Sequence, residues 1–405
     1  MDVKCRDREK AAPRARGVYL DNNVLGWYHL QGEGVDSEEG RKARMDIVKR
    51  MVDRDHEELV FVQDRAAGLR AIVSVHSTVL GPALGGLRMW PYTSEAEALY
   101  DVMRLAEAMT NKAAASNLKL GGGKAVIIGD PRTDKTPELF RAMGRAVEKL
   151  GGRYITAEDV GTGVEDMEHI RETTQYVTGT TRAGGGSGDP SPTTAAGVQE
   201  SIIACIEAVN GAPGTGDELL DGVRIAVQGV GHVGSVLCRD LAAKGAKLTV
   251  CDINPEQAER VAKQYGATVV PPDKIYDVEA DVFAPCGLGF ILNDETIPRL
   301  KCRIVAGAAN NQLADVERHG AMLEKRKILY APDYVANAGG LINIYYRDIL
   351  QRPCEAEAWS PTGIYETMRT VLGMARERKV PTYQAAQELA SARIEEARRE
   401  KAGRS

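Results

Sequence analysis

Apolar positions change period along the chain. In LVFVQD and LRAIVSVH they alternate or run together in short blocks separated by the turn-prone Ala66-Ala67-Gly68, which predicts a hairpin or two adjacent strands. After the glycine-rich GPALGGLRM, read as a bend, the spacing becomes helical. Leu99, Val102, Met103, Ala106 and Met109 recur at three- and four-residue steps behind a Ser94/Glu97 capping-box pattern, so a helix runs from Glu95 to Lys112. Strand KAVIIGD, a helix from Pro137 to Leu150 and strand RYITAED follow. Ala183 to Pro192 reads as a linker, and a second alternation opens with a helix from about Ala196 to Asn210. Strands alternating with helices predict an α/β protein with helices packed on sheets. Residues 1–44 show no sustained period and read as a mobile extension, with Val18-Tyr19-Leu20 and Trp27-Tyr28 as possible contact points.

Length and composition narrow the class. A chain of 405 residues with 43% hydrophobic content suits two domains better than one. The net charge of -5 and the lack of a basic block with interleaved aromatics argue against a nucleic-acid surface. No apolar run approaches the ~20 residues of a membrane span, and MDVKCRDREK is too charged for a signal peptide, so the expected location is the cytoplasm. Seven cysteines without a CxxC pair or histidine-spaced partners read as free thiols, and no metal site is expected.

The first chemical candidates lie in MTNKAAASNLKLGGGK. Lys124 follows three glycines, a costly choice that marks close approach of a ligand or another backbone, and it precedes the strand-like Ala125-Val126-Ile127-Ile128. At the mouth of a buried element, desolvation and a second cation such as Lys112 would lower the amine's pKa from ~10.4 towards ~7–8 and make it a base near neutral pH.

A second motif carries a nucleotide. GVRIAVQG runs as a strand into Gly229-Val230-Gly231-His232-Val233-Gly234, VLCRDLAAKGA is helical, and a second strand ends in Asp252, 18 positions after the last glycine. With strand, helix and acid all in place, this is a dinucleotide-binding pattern. The glycines let pyrophosphate reach a helix N-terminus, and Asp252 accepts from ribose hydroxyls and repels a 2′-phosphate, which favours NAD over NADP. Arg260 is the remote residue that could reverse this preference. His232 lies within the loop and is expected to face solvent.

Taken together, GPALGGLRMW, MTNK, GGGKAVIIGDP, GGRYITAEDVGTGVEDM, SGDPSPTTAAGV, AVQGVGHVG, DVFAPC, VAGAANNQL and ILYAPDYVANAGGLIN resemble the Glu/Leu/Phe/Val dehydrogenase family, most closely its leucine dehydrogenase branch, over about nine-tenths of the chain. The resemblance implies NAD-dependent oxidative deamination of an L-amino acid. Lys124 would activate the attacking water, Lys112 would hold the substrate carboxylate, and Asp159 would exchange protons with the substrate amine. It further implies nicotinamide and ribose contacts at Ala308, Ala309, Asn310 and Asn337 and a carboxamide contact at Thr194. A substrate site would be formed by Gly85 with side-chain pocket positions Leu84, Ala157, Val177, Leu341 and Ile344. That pocket is apolar and offers no cation to a glutamate side chain, whose burial unpaired would cost several kcal/mol.

Leucine is the expected substrate, with isoleucine and valine secondary. Leu341 and Tyr345 support an aromatic amino acid as the alternative, and a catalytically silent nucleotide-binding relative would lack one of Lys112, Lys124 or Asp159, all of which are present. The leucine branch commonly reads NVADEL where this chain has Asn343-Ile344-Tyr345-Tyr346-Arg347-Asp348. The first 44 residues have no counterpart, and Met45 falls where relatives begin. The expected architecture is a substrate and oligomerisation domain of residues 45–190 plus 362–405, closing on a Rossmann domain of residues 191–361, in a homo-oligomer.

Overall fold

The alternating blocks after Glu57 pair as their period predicts. In the computed structural model, which describes residues 47–181, 186–211, 216–352 and 362–403, β1 (Glu58–Asp64) and β2 (Leu69–Ser77) form an antiparallel hairpin from Glu58↔Val75 to Asp64↔Leu69. Gly68 takes φ +70° in its turn, a conformation that suits glycine. The extension of residues 1–44, the linker residues Ala183–Gly185, Cys5 and Cys354 lie outside the described residues. Two units divide the chain at residues 1–53 and 54–405. The described part of the first is helix α1 (Ile47–Asp53), with a Lys49–Asp53 pair at 2.6 Å one turn apart.

The stretch GPALGGLRM, expected as a bend, is instead a central strand. β3 (Ala83–Trp90) lies between β4 (Gly121–Ile128) and β5 (Tyr154–Glu158), parallel to both, in a sheet ordered β1-β2-β4-β3-β5. Glycine inside a strand usually marks close backbone approach. A Cβ on Gly85 would stand 1.7 Å from the Gly123 carbonyl oxygen, so the two central strands need glycine there. β4 likewise takes in all three glycines before Lys124. Helix α2 (Glu95–Ala115) covers one face of the sheet, and α3 (Pro137–Glu148) with α4 (Val164–Arg171) covers the other, over a core that includes Leu87, Met89, Ile127, Phe140, Met143 and Tyr154. Ser94 caps α2 by accepting from the Glu97 amide, while Glu97 reaches back to Thr93 rather than to Ser94.

The second sheet is wholly parallel. Its strands are β6 (Arg224–Gln228), β7 (Lys247–Cys251), β8 (Thr268–Val269), β9 (Val282–Pro285), β10 (Ile304–Val305) and β11 (Leu329–Tyr330), ordered β11-β10-β9-β6-β7-β8. Read from β8, this is the 3-2-1-4-5-6 order of the Rossmann fold. Helix α5 (Ser191–Asn210) leads into the sheet and starts five residues before the expected Ala196, because Pro192 sits in its first turn, where a missing N–H costs nothing. The helix after the glycine motif, α6 (His232–Ala243), begins at His232, so that residue opens a helix and is exposed. Helices α7 (Pro255–Tyr265) and α8 (Val316–Lys325) complete the second alternation.

Beyond β11 come α9 (Asp333–Ala336), α10 (Gly339–Ile344) and a π-helical turn at Tyr345–Ile349. The last two helices divide their packing. α11 (Thr362–Arg378) places Met368, Val371 and Leu372 in the core under the second sheet, against α5. α12 (Thr382–Ala402) packs on α2, where Arg393 donates to the Ala114 and Ala115 carbonyls at the helix end. Cys205, Cys238 and Cys251 are buried free thiols, and Cys286 and Cys302 are partly buried ones. Among the described residues no helix is long and apolar enough to cross a membrane, and no three acidic, histidine or cysteine side chains gather to hold a metal.

Candidate functional site

Strand register determines which side chains meet. Leu84 pairs with Gly122 and Ile155, and the two-residue period then carries Gly86, Arg88, Lys124 and Ala157 onto the face under α2, with Asp159 just past the end of β5. On this face Lys124 is only 5% exposed, and its Nζ lies 2.9 Å from Asp159 Oδ2. The same carboxylate oxygen accepts from Arg88 Nε at 3.0 Å. Burial lowers the Lys124 pKa; Asp159 opposes that and Arg88 adds to it. Asp159 resists burial in the reverse sense, because Lys124 and Arg88 together hold its carboxyl far below the usual range. The second cation expected beside Lys124 was Lys112, but Arg88 is the one that shares its carboxylate.

Lys112, on the last turn of α2, faces the other sheet. Its Nζ donates to Asn337 Oδ1 at 2.7 Å, and the Asn337 amide donates in turn to the Ala308 carbonyl at 3.1 Å and to Asn310 Oδ1 at 2.7 Å. Burial brings the Lys112 pKa down to about 8, against the pull of Asp333 and with the push of Lys124. Asp333 is held by the Gln312 and Tyr334 amides, and burial raises its pKa. Thr194, in the first turn of α5, stands against Gly340, where a Cβ would lie 3.0 Å from its Oγ1. Ala309 is buried, its amide bonded to the Pro285 carbonyl and its own carbonyl to Gln312. Lys112, Asn337, Ala308 and Asn310 therefore form one connected group across the two sheets.

Leu84, Leu341 and Ile344 share an apolar cluster with Tyr345 and Tyr346, whose rings meet edge to face at 5.3 Å. Ala157 lies on the same sheet face as Leu84. Two positions fall elsewhere: Gly85 alternates to the opposite face, its carbonyl accepting from the Tyr154 hydroxyl at 2.6 Å, and Val177 packs into the core beneath that face. In the segment that departs from the leucine pattern, Asp348 accepts from the Gly179 amide and the Ser187 hydroxyl.

The glycine motif fits a dinucleotide. Gly229 takes φ +87° in contact with Gly287, and a Cβ on Gly234 would stand 2.0 Å from the Gly229 carbonyl oxygen. At Gly231 a Cβ would meet nothing within 4 Å, and no side chain caps α6, so the open N–H groups of the helix start, His232 and Val233 among them, face an approach wide enough for phosphate. Asp252 is fixed by the Val230 amide at 2.8 Å and the Asn254 amide at 2.9 Å, each oxygen keeping acceptor capacity for a ribose hydroxyl. Arg260 is engaged with Gln257, which itself donates to the Val230 carbonyl.

Sequence reasoning missed Arg88, Asp101 and Asp333. Arg88 was hidden because its strand was read as a bend; with the strand recognised, Leu84-Gly86-Arg88 shows the period of Lys124's face. Asp101 carried its own signal, an acid on the buried stripe of a helix between Ala98 and Leu105.

Comparison with known proteins finds relatives over most of the chain. The model of the Glu/Leu/Phe/Val dehydrogenase dimerisation domain matches residues 56–176, and that of the glutamate/leucine/phenylalanine/valine dehydrogenases matches residues 249–402. Leucine dehydrogenase of Thermoactinomyces intermedius is 54% identical over 87% of this chain and 94% of its own. Phenylalanine dehydrogenase of Caldalkalibacillus thermarum is 46% identical over 84% and 92%. The crystal structure of L-tryptophan dehydrogenase from Nostoc punctiforme superposes with a TM-score of 0.76 at 43% identity, covering 87% of this chain and all of that one.

Proposed function

The chain belongs to the Glu/Leu/Phe/Val dehydrogenase family and is an NAD(P)-dependent amino acid dehydrogenase, and on that premise we propose that it deaminates L-leucine and other branched-chain L-amino acids with NAD, reversibly, as a homo-oligomer. The observation that carries this reading is the buried Lys124–Asp159 pair at 2.9 Å, one strand over from Leu84 of the apolar cluster.

An α-amino acid needs a fixed cation for its carboxylate, an acceptor for its amine and a base beside its Cα. Lys112 supplies the cation; with a pKa of about 8 it is largely charged at neutral pH, and Asn337 already orients its ammonium. Asp159, kept ionised by two cations, accepts a hydrogen bond from the substrate ammonium and exchanges its proton, which then passes on to solvent. The glycine motif and Asp252 would hold NAD, which would supply the hydride acceptor for Cα. Lys124, its ammonium form disfavoured by burial, then removes a proton from the water that attacks the imine carbon, returns it to the nitrogen as ammonia leaves, and takes the hydroxyl proton as the carbonyl forms. Ala308, Asn310, Asn337 and Thr194 flank the cleft where the hydride would cross.

A specific observation favours a second reading. The Tyr345–Tyr346 pair adjoins Leu84 and Leu341, and relatives named for phenylalanine and tryptophan share 44–46% of their sequence with this chain, so an aromatic substrate is the alternative. Formation of the reduced nicotinamide, followed by absorbance with L-leucine, L-valine, L-isoleucine, L-phenylalanine and L-tryptophan and with each of NAD and NADP, separates the readings. Turnover is expected to be highest with leucine and NAD and to fall in Lys124→Ala by ~10²–10⁴-fold. Wild-type turnover in that variant would end the lysine-base mechanism, and a preference for an aromatic substrate would replace the leucine assignment.

A further inference from the structure

The catalytic carboxylate does not stand alone with its lysine. Arg88 reaches it from β3 through Nε and turns its other arm to Asp101, with Nη1 2.8 Å from Asp101 Oδ2. Asp101 is 3% exposed on α2, and its remaining demand is met by Arg104 at 3.0 Å and by the Tyr92 hydroxyl at 2.7 Å. A planar guanidinium that spans two carboxylates in this way fixes both, which a lysine's single nitrogen cannot reproduce. An uncompensated acid at Asp101's depth would be costly, so its burial in a ready-made cation pair indicates a purpose beyond packing.

We propose that Arg88, anchored by Asp101, is a positioning residue that orients the Asp159 carboxylate and sets the charge balance felt by Lys124. This rests on the amino acid dehydrogenase reading above. Lys124 is faced by Asp159 from the end of β5, by Arg88 from β3, and by Asp101 and Lys112 from α2. Asp159 also lies within electrostatic reach of its neighbour Glu158 and of Tyr154. Among these groups Arg88 and Asp101 act on Lys124 with opposite signs. The guanidinium disfavours a second cation beside it, and the Asp101 carboxylate favours one.

Those opposite signs give a test that a merely structural role would not pass. The measurement is the pH profile of kcat/KM for the preferred amino acid in wild type, Arg88→Met, Arg88→Lys and Asp101→Asn, beside thermal unfolding of each. Loss of the guanidinium in Arg88→Met removes a repelling cation, so the ascending limb should move up by about one pH unit while kcat falls on the order of ten- to a hundredfold. Asp101→Asn leaves the cation without its counter-charge, so its limb should move down. Arg88→Lys keeps the charge and should hold the limb near wild type with a partial loss of kcat. Limbs that stay in place, or that move the same way in Arg88→Met and Asp101→Asn, overturn the proposal. If Arg88→Met does not fold, Arg88→Lys and Asp101→Asn still give the contrast. A wild-type protein inactive on every amino acid would instead sink the dehydrogenase reading itself, a separate outcome.

Discussion

Replacing Gly122 by alanine tests how closely the fold and the site depend on one another. Gly122 lies two residues before Lys124 on the face under α2, and a Cβ there would stand 2.1 Å from the Thr110 amide nitrogen, 2.3 Å from Thr110 Oγ1 and 2.6 Å from the Ala106 carbonyl oxygen. Two of those three atoms are helix backbone, so no side chain can swing away. Restoring ordinary contact near ~3.5 Å requires α2 to retreat by roughly 1.4 Å. Overpacking of this kind costs ~1–3 kcal/mol and sometimes more. The retreating helix takes with it Lys112, two residues beyond Thr110, and its 2.7 Å bond to Asn337. A misplacement of about 1 Å in a substrate-holding group costs ~10²-fold in rate. Urea unfolding should therefore show the loss of stability, and kinetics should show KM for the amino acid rising with kcat/KM down about a hundredfold. If Gly122→Ala matched the wild type in both, close approach of α2 would not be what the glycine provides, and the placement of Lys112 by that contact would be wrong.

Two further outcomes follow from other parts of the molecule. His56 is 7% exposed, edge-on to His76 at 4.7 Å, and burial, with His76 and Arg54, lowers its pKa to about 4 against the pull of Asp55. Because the unfolded chain binds the proton near ~6.5 and the folded one resists it, stability should be full above pH 6.5 and fall on the order of 3 kcal/mol as pH drops to about 4. Urea midpoints between neutral and acid pH check this, and an equal slope in His56→Phe would refute the assignment. Gly373, inside α11 where an added Cβ would meet nothing within 4 Å, should gain ~0.5–1 kcal/mol on change to alanine, read as a raised unfolding midpoint.

What the sequence yields and what it hides follow from the range of each signal. Local signals read well: the α2 helix from its stripe and cap, the hairpin from its turn, and the dinucleotide motif from strand, glycines and acid in a row. GPALGGLRM failed because glycine's local meaning is a turn, whereas here it answers a neighbouring backbone 38 residues away at Gly123, a contact no single window contains. Misreading that strand concealed Arg88 and with it the charged chain to Asp101. The lysine pair was visible, but which cation shares its carboxylate depended on the register between β3, β4 and β5. Lys112 meets Lys124 through its charge, while its hydrogen bond runs to Asn337, 225 residues on.

The cleft also explains why two lysines in it can carry different charge. Lys112, Lys124, Arg88 and Arg104 meet the carboxylates of Asp101, Asp159 and Asp333, with Glu158 next to Asp159, so each lysine is buried among other cations as well as carboxylates. Burial disfavours the charged form of each lysine, and the arginines cannot release a proton in their place, so both lysine pKa values are lowered. On the proposed mechanism an incoming α-carboxylate would add an anion beside Lys112, at one end of the group. Lys112 is then stabilised as the cation, and its charge, still felt at Lys124, keeps that amine the easier of the two to leave neutral. On the proposed mechanism, the anion that the substrate brings would keep Lys112 in the holding role and leave proton transfer to Lys124, whose ammonium form burial disfavours.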